Sequence, residues 1–241
     1  MTTYLSFNPL VKDALLRSPP VLTDDDTQAD LPLSSTWVLW EQSQMRGAAV
    51  TNTGNYADCT SKVISVGTVY DFWRMFLSIP QPSVLIQNQR IIAHDRGESD
   101  GRAVSCLMFF KEGVRPEWED PANANGGHFF FHLKSGIKAG QLDEYWNNLI
   151  LALIGNTLEP TSDNEYPSIV QGIRLVDKVN SQQKNGGVRI ELWFGKCVDD
   201  KHMAYLRTRV IDMMTLQTDD SHSIPPKCEV RYHASDAQQP Q

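Results

Sequence analysis

Cysteine is scarce in this chain, and long apolar runs are missing altogether. The four cysteines, Cys59, Cys106, Cys197 and Cys228, lie far apart, with no CxxC pair and no disulfide-framework spacing. No Asn-x-Ser/Thr acceptor occurs either. A small secreted disulfide scaffold is thereby excluded, and a reducing compartment, cytoplasm or nucleus, is expected. No stretch approaches the roughly 18 apolar residues of a membrane span. The N-terminus also lacks a basic region followed by a hydrophobic one, so neither secretion nor a membrane partner is expected.

Positive charge is short as well, with 22 Lys and Arg against 29 Asp and Glu and a formal net charge of −7. Proteins that coat a nucleic-acid backbone carry many cations, so that class is disfavoured. A small pocket for one terminal nucleotide needs only a few local cations and stays open. Catalytic signatures are missing: there is no GxSxG, no P-loop, no GxGxxG and no metal-ligand cluster. His94, Asp95, His128, His132 and Glu119 are raw material for acid–base work, but two histidines without a third ligand are more often surface residues. No enzyme, metal or cofactor is expected.

What the sequence does hold, in 241 residues of which 41% are hydrophobic, suits one domain with a substantial core. Residues 1–34 read as a flexible extension, with Pro9, Pro19, Pro20, Pro32 and the acidic run Asp24, Asp25, Asp26. The domain is expected over 35–233, and 234–241 reads as a flexible tail. Thr68 and Asp71 stand at capping-box spacing, ahead of a helical stripe of Val69, Phe72, Trp73, Phe76 and Leu77 that stops at Pro80. A second helix carries Leu142, Tyr145, Trp146, Leu149, Leu153 and Ile154 and ends at Gly155. A third begins near Asp199 and Asp200 and carries Met203, Leu206, Val210 and Met213. Strand-like runs cover 37–40, 61–65, 105–110, 127–133, 169–179, 188–194 and 228–232. Many strands with few, irregularly placed helices predict an α+β fold, an antiparallel sheet with helices on one side.

Strand periodicity sorts side chains by face. Over 188–194, Val188, Ile190, Leu192 and Phe194 make an apolar face, and Arg189, Glu191 and Trp193 share the other. Ile173, Leu175 and Val179 likewise oppose Arg174 and Lys178, and Phe129, Phe131 and Leu133 oppose His128 and His132. A tryptophan beside an arginine off the core face fits an amphipathic residue under a loop. It fits equally an aromatic and cationic surface for stacking and phosphate contact.

The segment Pro116-Glu117-Trp118-Glu119-Asp120-Pro121 places a Trp among three carboxylates in a loop bounded by prolines. A Trp tucked against the domain edge is the plain explanation. The chemistry also fits one ligand. Guanine methylated at N7 is a cation, which an aromatic face attracts by roughly 0.5–2 kcal/mol. A carboxylate can accept hydrogen bonds from guanine N1–H and N2–H, a pairing adenine does not offer.

From about Leu31 to Tyr232 the chain resembles the eukaryotic translation initiation factor 4E family of cap-binding proteins. The resemblance rests on ordered motifs: Trp37-Val38-Leu39-Trp40, Thr68-Val69-Tyr70-Asp71-Phe72-Trp73, Pro116-Glu117-Trp118-Glu119-Asp120, Gly126-Gly127, Tyr145-Trp146, Leu153-Ile154-Gly155 and Arg189-Ile190-Glu191-Leu192-Trp193. It implies a curved, mostly antiparallel sheet of about eight strands with three helices on the convex face. It also implies that Trp118 is one stacking aromatic, Glu119 the guanine-reading carboxylate and Trp193 the residue near the N7-methyl group. Arg189 falls where the family has a phosphate-binding lysine, and Lys178 falls at its phosphate-binding arginine, with Arg174 or Lys184 as substitutes. His128 stands at a position often basic in the family. The second stacking aromatic corresponds to Tyr56, where the family usually has Trp. The stretch 94–102 is an insert relative to the family, and the family's C-terminal phosphorylation segment is not expected after Tyr232.

The resemblance further implies a convex partner face at Pro32, Leu33, Val69, Trp73, Asn148 and Leu151. Its partners would be an initiation scaffold of the 4G type and inhibitory binding proteins carrying a Tyr-x-x-x-x-Leu-hydrophobic helix. Asn147 and Asn148 stand where the family commonly has an apolar residue and an acid, and Trp73 could equally be a core residue. The expected function is to bind 7-methylguanosine-capped mRNA and recruit it to the scaffold in the cytoplasm. The alternative is a partner-dependent repressor or storage factor with weak or absent cap binding.

Overall fold

The computed structural model describes residues 31–43, 59–87, 89–93, 101–134, 136–159, 168–179, 186–197, 199–217 and 222–233. Tyr56 and Lys184, and most of the stretch 94–102, lie outside them. The described strands are β1 (Pro32–Ser43), β2 (Thr60–Thr68), β3 (Ile91–Ala93), β4 (Arg102–Lys111), β5 (Gly127–Lys134), β6 (Val170–Asp177), β7 (Gly187–Phe194) and β8 (Cys228–Tyr232). The helices are α1 (Val69–Phe76), α2 (Ser83–Ile86), α3 (Ala139–Ile154) and α4 (Asp200–Thr215). All described strands join one curved sheet in the order β2-β1-β4-β6-β7-β5-β8, with β3 on β4, and every pairing is antiparallel. β1 starts at Pro32, inside the stretch read from sequence as an extension, because Pro32 pairs with Thr68.

Alternation divides the sheet into two faces as the period-2 rule requires. Leu39, Phe109, Phe129, Phe131, Ile173, Leu175, Ile190, Leu192 and Phe194 meet the helices in the main core. There they contact Phe72 and Phe76 of α1, Trp146 and Leu149 of α3, and Leu206 and Val210 of α4. Each fully buried large side chain contributes about 1.5–3 kcal/mol. The opposite, concave face carries a second apolar cluster of Cys106, Met108, Phe110, Val176 and Trp193, with Trp40 packed against it.

Helix ends follow local chemistry. Thr68 Oγ1 accepts from Asp71 N at 3.1 Å and starts α1 where the capping spacing predicts. The stripe of α1 is turned from its expected position: Met75 is buried, and Leu77 is 55% exposed because the helix has already ended there. In α4 Leu206 and Val210 are buried as expected, but Met214 is buried in place of Met213, which lies at the margin with Met203. At the end of α3 the left-handed residue is Asn156 (φ 53°), not Gly155. Thr157 N donates to Ala152 O and Asn156 N to Leu153 O, a Schellman turn with Asn in the left-handed position. Gly126 and Gly127 open β5, where it enters between β7 and β8. A Cβ on either would overlap the carbonyl of Phe194 or of Arg231.

Candidate functional site

The concave face is organised around one carboxylate. Glu191 is 1% exposed and lies opposite Arg174 in the β6–β7 register. Arg174 Nη1 stands 3.3 Å from Glu191 Oε2, and Arg189 Nη2 stands 2.5 Å from Oε1. Trp193 Nε1 donates to Glu191 Oε2 at 2.8 Å. Burial pushes the Glu191 carboxyl up, but Arg174, Arg189, His128 and the indole together pull it further down, and the net direction is down. Glu191 therefore stays ionised and holds two guanidiniums along one wall of a cleft.

Trp193 shares this face with Arg189, as alternation requires, yet it is 0% exposed. A face assignment does not give depth, and neighbouring strands supply the cover. The His128 ring stacks on it at 5.5 Å and 16°, Phe110 meets it edge-on at 5.4 Å, and the Arg174 guanidinium lies 5.2 Å from its ring centre. His233, just past β8, comes within 4.6 Å of the same ring.

A hydrogen-bond chain joins this wall to the Trp118 loop. His233 Nδ1 lies 2.8 Å from the carbonyl of Asn123, which can only accept, so Nδ1 carries the proton. His233 Nε2 is then the acceptor for His128 Nδ1 at 3.0 Å, which sets both tautomers. Burial pushes His128 down to about 4, with His233, Arg189 and Arg174 also opposing the cation while Glu191 favours it. Burial lowers His233 too, against the Asn123 and Glu191 contributions. His128 thus packs within the wall, 4% exposed, as a neutral ring.

The loop itself is stapled from inside. Asp120 accepts from Arg115 N at 2.8 Å and Ala122 N at 2.9 Å, and Asn123 Nδ2 donates to Arg115 O at 2.8 Å and Glu117 O at 2.9 Å. These bonds present Trp118, 38% exposed, with Glu119 exposed beside it. His233 stacks on Trp118 at 5.8 Å and 18°, and the Arg231 guanidinium lies 5.0 Å from its ring centre. Trp118, Glu119, Arg174, Lys178, Arg189 and Trp193 all line one cleft of about 410 Å³. Asn123, Arg231 and His233 are the site residues that sequence reasoning did not single out, and Asp120 was read only as one of the carboxylates around Trp118. The Asn that follows the Trp118 motif was the available signal for the first.

On the helix side, Pro32 pairs with Thr68 and Val69 N donates to Leu31 O at 2.9 Å, which brings Pro32 and Val69 together. Leu33, Trp73 and Leu151 are half-buried and pack on the main core. Trp73 meets Phe72 and Phe76 edge-on. Asn148 is engaged within the molecule: its Nδ2 donates to Met214 O at 3.2 Å and Leu216 O at 2.7 Å. Asn147 is buried and donates to Gln81 Oε1 at 2.9 Å. Among the described residues no cluster of three His, Cys, Asp or Glu could hold a metal ion, and no helix is long and apolar enough to cross a membrane.

Comparison with known proteins gives a consistent result. Residues 32–240 match the family model for eukaryotic initiation factor 4E. Eukaryotic translation initiation factor 4E of Saccharomyces cerevisiae is 30% identical over 212 residues, covering 87% of this chain and 83% of the relative. Eukaryotic translation initiation factor 4E-2 of Schizosaccharomyces pombe is 33% identical over 168 residues, covering 70% of this chain and 55% of that relative's length. Among solved structures, Caenorhabditis elegans eIF4E-3 in complex with the 4E-binding protein Mextli and cap analog has a TM-score of 0.58 at 22% identity, with 88% of this chain and 97% of that chain covered. Ascaris suum eIF4E-3 with m7G cap has a TM-score of 0.59 at 22% identity, with 85% and 92% covered. The structural likenesses establish the shared fold.

Proposed function

Since the chain belongs to the eukaryotic initiation factor 4E family, we propose that it binds the 7-methylguanosine cap of mRNA and delivers capped mRNA to an initiation scaffold of the 4G type. It acts by binding and not by catalysis. The observation that carries this reading is the single cleft that joins Trp118 and Glu119 to a wall of cations. The Trp118 face attracts the methylated, cationic base. Glu119 accepts from guanine N1–H and N2–H, a charge-assisted pair that selects guanine. Arg189 and Lys178, with Arg174 behind them, meet the phosphates. Tyr56 supplies the second aromatic face, and Trp193 backs the methyl group through the packing that holds the wall. A net charge of −7 suits this division of labour, because affinity comes from one pocket and not from the whole surface.

Pro32, Leu33, Val69, Trp73 and Leu151 form the scaffold-binding face, and the same face accepts inhibitory proteins that carry a Tyr-x-x-x-x-Leu-hydrophobic helix. The site of action is the cytoplasm. A retention assay on immobilised 7-methyl-GTP tests both faces together. The wild type is retained and eluted by free 7-methyl-GTP but not by GTP. Trp118→Ala loses at least about 30-fold in affinity, as expected for a desolvated cation–π contact of about 2 kcal/mol. Trp73→Ala is retained yet no longer co-elutes a scaffold peptide. Unimpaired retention of Trp118→Ala would overturn the reading.

A further inference from the structure

The concave face continues past the cleft across β5 to β8, and an aromatic residue stands in its middle. Phe130 occupies a position that alternation assigns to the face opposite Phe129 and Phe131, both of which enter the main core. It is half-buried, flanked on its own strand by His128 at 5.8 Å and His132 at 5.5 Å. A lone half-exposed Phe would need no explanation. This one lines a hollow of about 130 Å³ together with Trp118, Arg174, Arg189 and Arg231. Trp118, Arg174 and Arg189 also line the larger cleft, so the two spaces adjoin.

The charge around Phe130 runs against that of the whole chain. The hollow is lined by three arginines and one carboxylate, Glu191, whose charge is met by Arg174 and Arg189. A second acid, Glu229, stands opposite Phe130 on β8, and its Oε1 lies 3.3 Å from Lys227 Nζ. His132, opposite Arg189, is exposed, and burial and Arg189 lower its affinity for a proton. An aromatic ring framed by arginines is the arrangement that single-stranded nucleic acid uses: bases stack on the ring, and cations follow the backbone.

We propose that Phe130 is a stacking platform for the first nucleotide joined to the cap through its triphosphate, with Arg231 and Arg189 beside the connecting phosphates. This rests on the cap reading of the adjoining cleft. Because every base has a π face, the platform is tolerant of base identity. The chain then measures more than the cap: it prefers a cap attached to RNA over a free cap nucleotide.

Quenching of tryptophan fluorescence by 7-methyl-GTP and by the capped dinucleotide m7GpppA tests this on the full chain. The wild type is expected to bind the dinucleotide roughly fivefold more tightly, the low end for one stacked base. Phe130→Ala brings that ratio to about one while its 7-methyl-GTP affinity, which also reports an intact fold, is unchanged. Phe130→Tyr restores the ratio. If the wild type binds 7-methyl-GTP but shows no preference, or if Phe130→Ala keeps the preference, the platform is overturned while the cap reading stands. If the wild type binds neither ligand, the cap reading fails and the platform with it.

Discussion

Glu191 is the residue on which the concave face depends. A carboxylate almost fully withdrawn from water is costly, and here Arg174 and Arg189 balance its charge while the Trp193 indole donates to one of its oxygens. Such a group gives little stability compared with a well-packed apolar residue, yet removing one partner leaves the others buried with unmatched charge. Glu191→Gln keeps the shape and drops the charge, so Arg174, itself 7% exposed, would face Arg189 with no anion between them. We expect Glu191→Gln to lose about 3 kcal/mol of stability in urea unfolding at pH 7, the lower end for breaking a buried pair. Arg174→Met combined with Glu191→Gln should recover part of that loss, and a change under about 1 kcal/mol in the single variant would show that the cluster is not coupled. The functional meaning is positional. Two guanidiniums that would otherwise sample solvent are held where a polyphosphate would pass.

At the scale of elements, the end of α4 depends on α3 through Asn148. Its amide donates to the carbonyls of Met214 and Leu216, which a helix C-terminus leaves unpaired. The family commonly carries an acid at this position, and restoring one here would set a carboxylate against two carbonyl oxygens. Asn148→Asp is expected to cost about 2 kcal/mol, a fall of roughly 4–8 °C in melting temperature for a domain of this size, readable by calorimetry. An unchanged melting temperature would mean that the amide bonds contribute nothing. The same level shows what sequence patterning could and could not reach. Strand faces were legible because period-2 alternation survives in β5, β6 and β7, and Thr68 was legible because capping is local. The three-residue β3 was not, since it exists by its pairing with β4, nor was the four-residue α2. Asn156 took the left-handed position expected of Gly155 because the hydrogen bonds to Ala152 and Leu153 close one residue later. Within the site, Trp118, Glu119, Arg189 and Lys178 were legible as residue types in a pattern. The depth of Trp193 was not, because its cover comes from His128, Phe110 and His233 on three other parts of the chain. His233 reads as the edge of a tail and gains its place only when its N–H meets the carbonyl of Gly126 at 3.0 Å.

For the whole molecule, that same histidine chain ties the sheet edge, the Trp118 loop and the concave wall into one unit, and its middle bond requires an unprotonated His233 Nε2. A proton on His128 would add charge beside Arg174 and Arg189 in a place with little water, and only Glu191 offsets it. The unfolded chain protonates an exposed His near its ordinary 6.5, whereas the folded chain resists until about 4. Between those values the unfolded state binds more protons, so folding free energy is complete above about pH 6.5 and falls as the pH drops toward 4. One such histidine sets a slope of at most about 1.4 kcal/mol per pH unit, and His233, lowered chiefly by burial, acts in the same direction. Glu191, held below its ordinary range, keeps its own contribution until more acid conditions, so the two effects separate on the pH axis. Urea midpoints at pH 7.5, 6.0 and 5.0 should therefore decline for the wild type, and His128→Gln, which cannot titrate, should flatten the decline while starting from a lower value. Equal slopes in the two proteins would assign the acid sensitivity elsewhere. Because His233 Nε2 accepts from His128 only while unprotonated, ligand affinity at the cleft should fall as the pH drops and ahead of global unfolding, as the wall separates from the His233 ring that stacks on Trp118 before the main core opens.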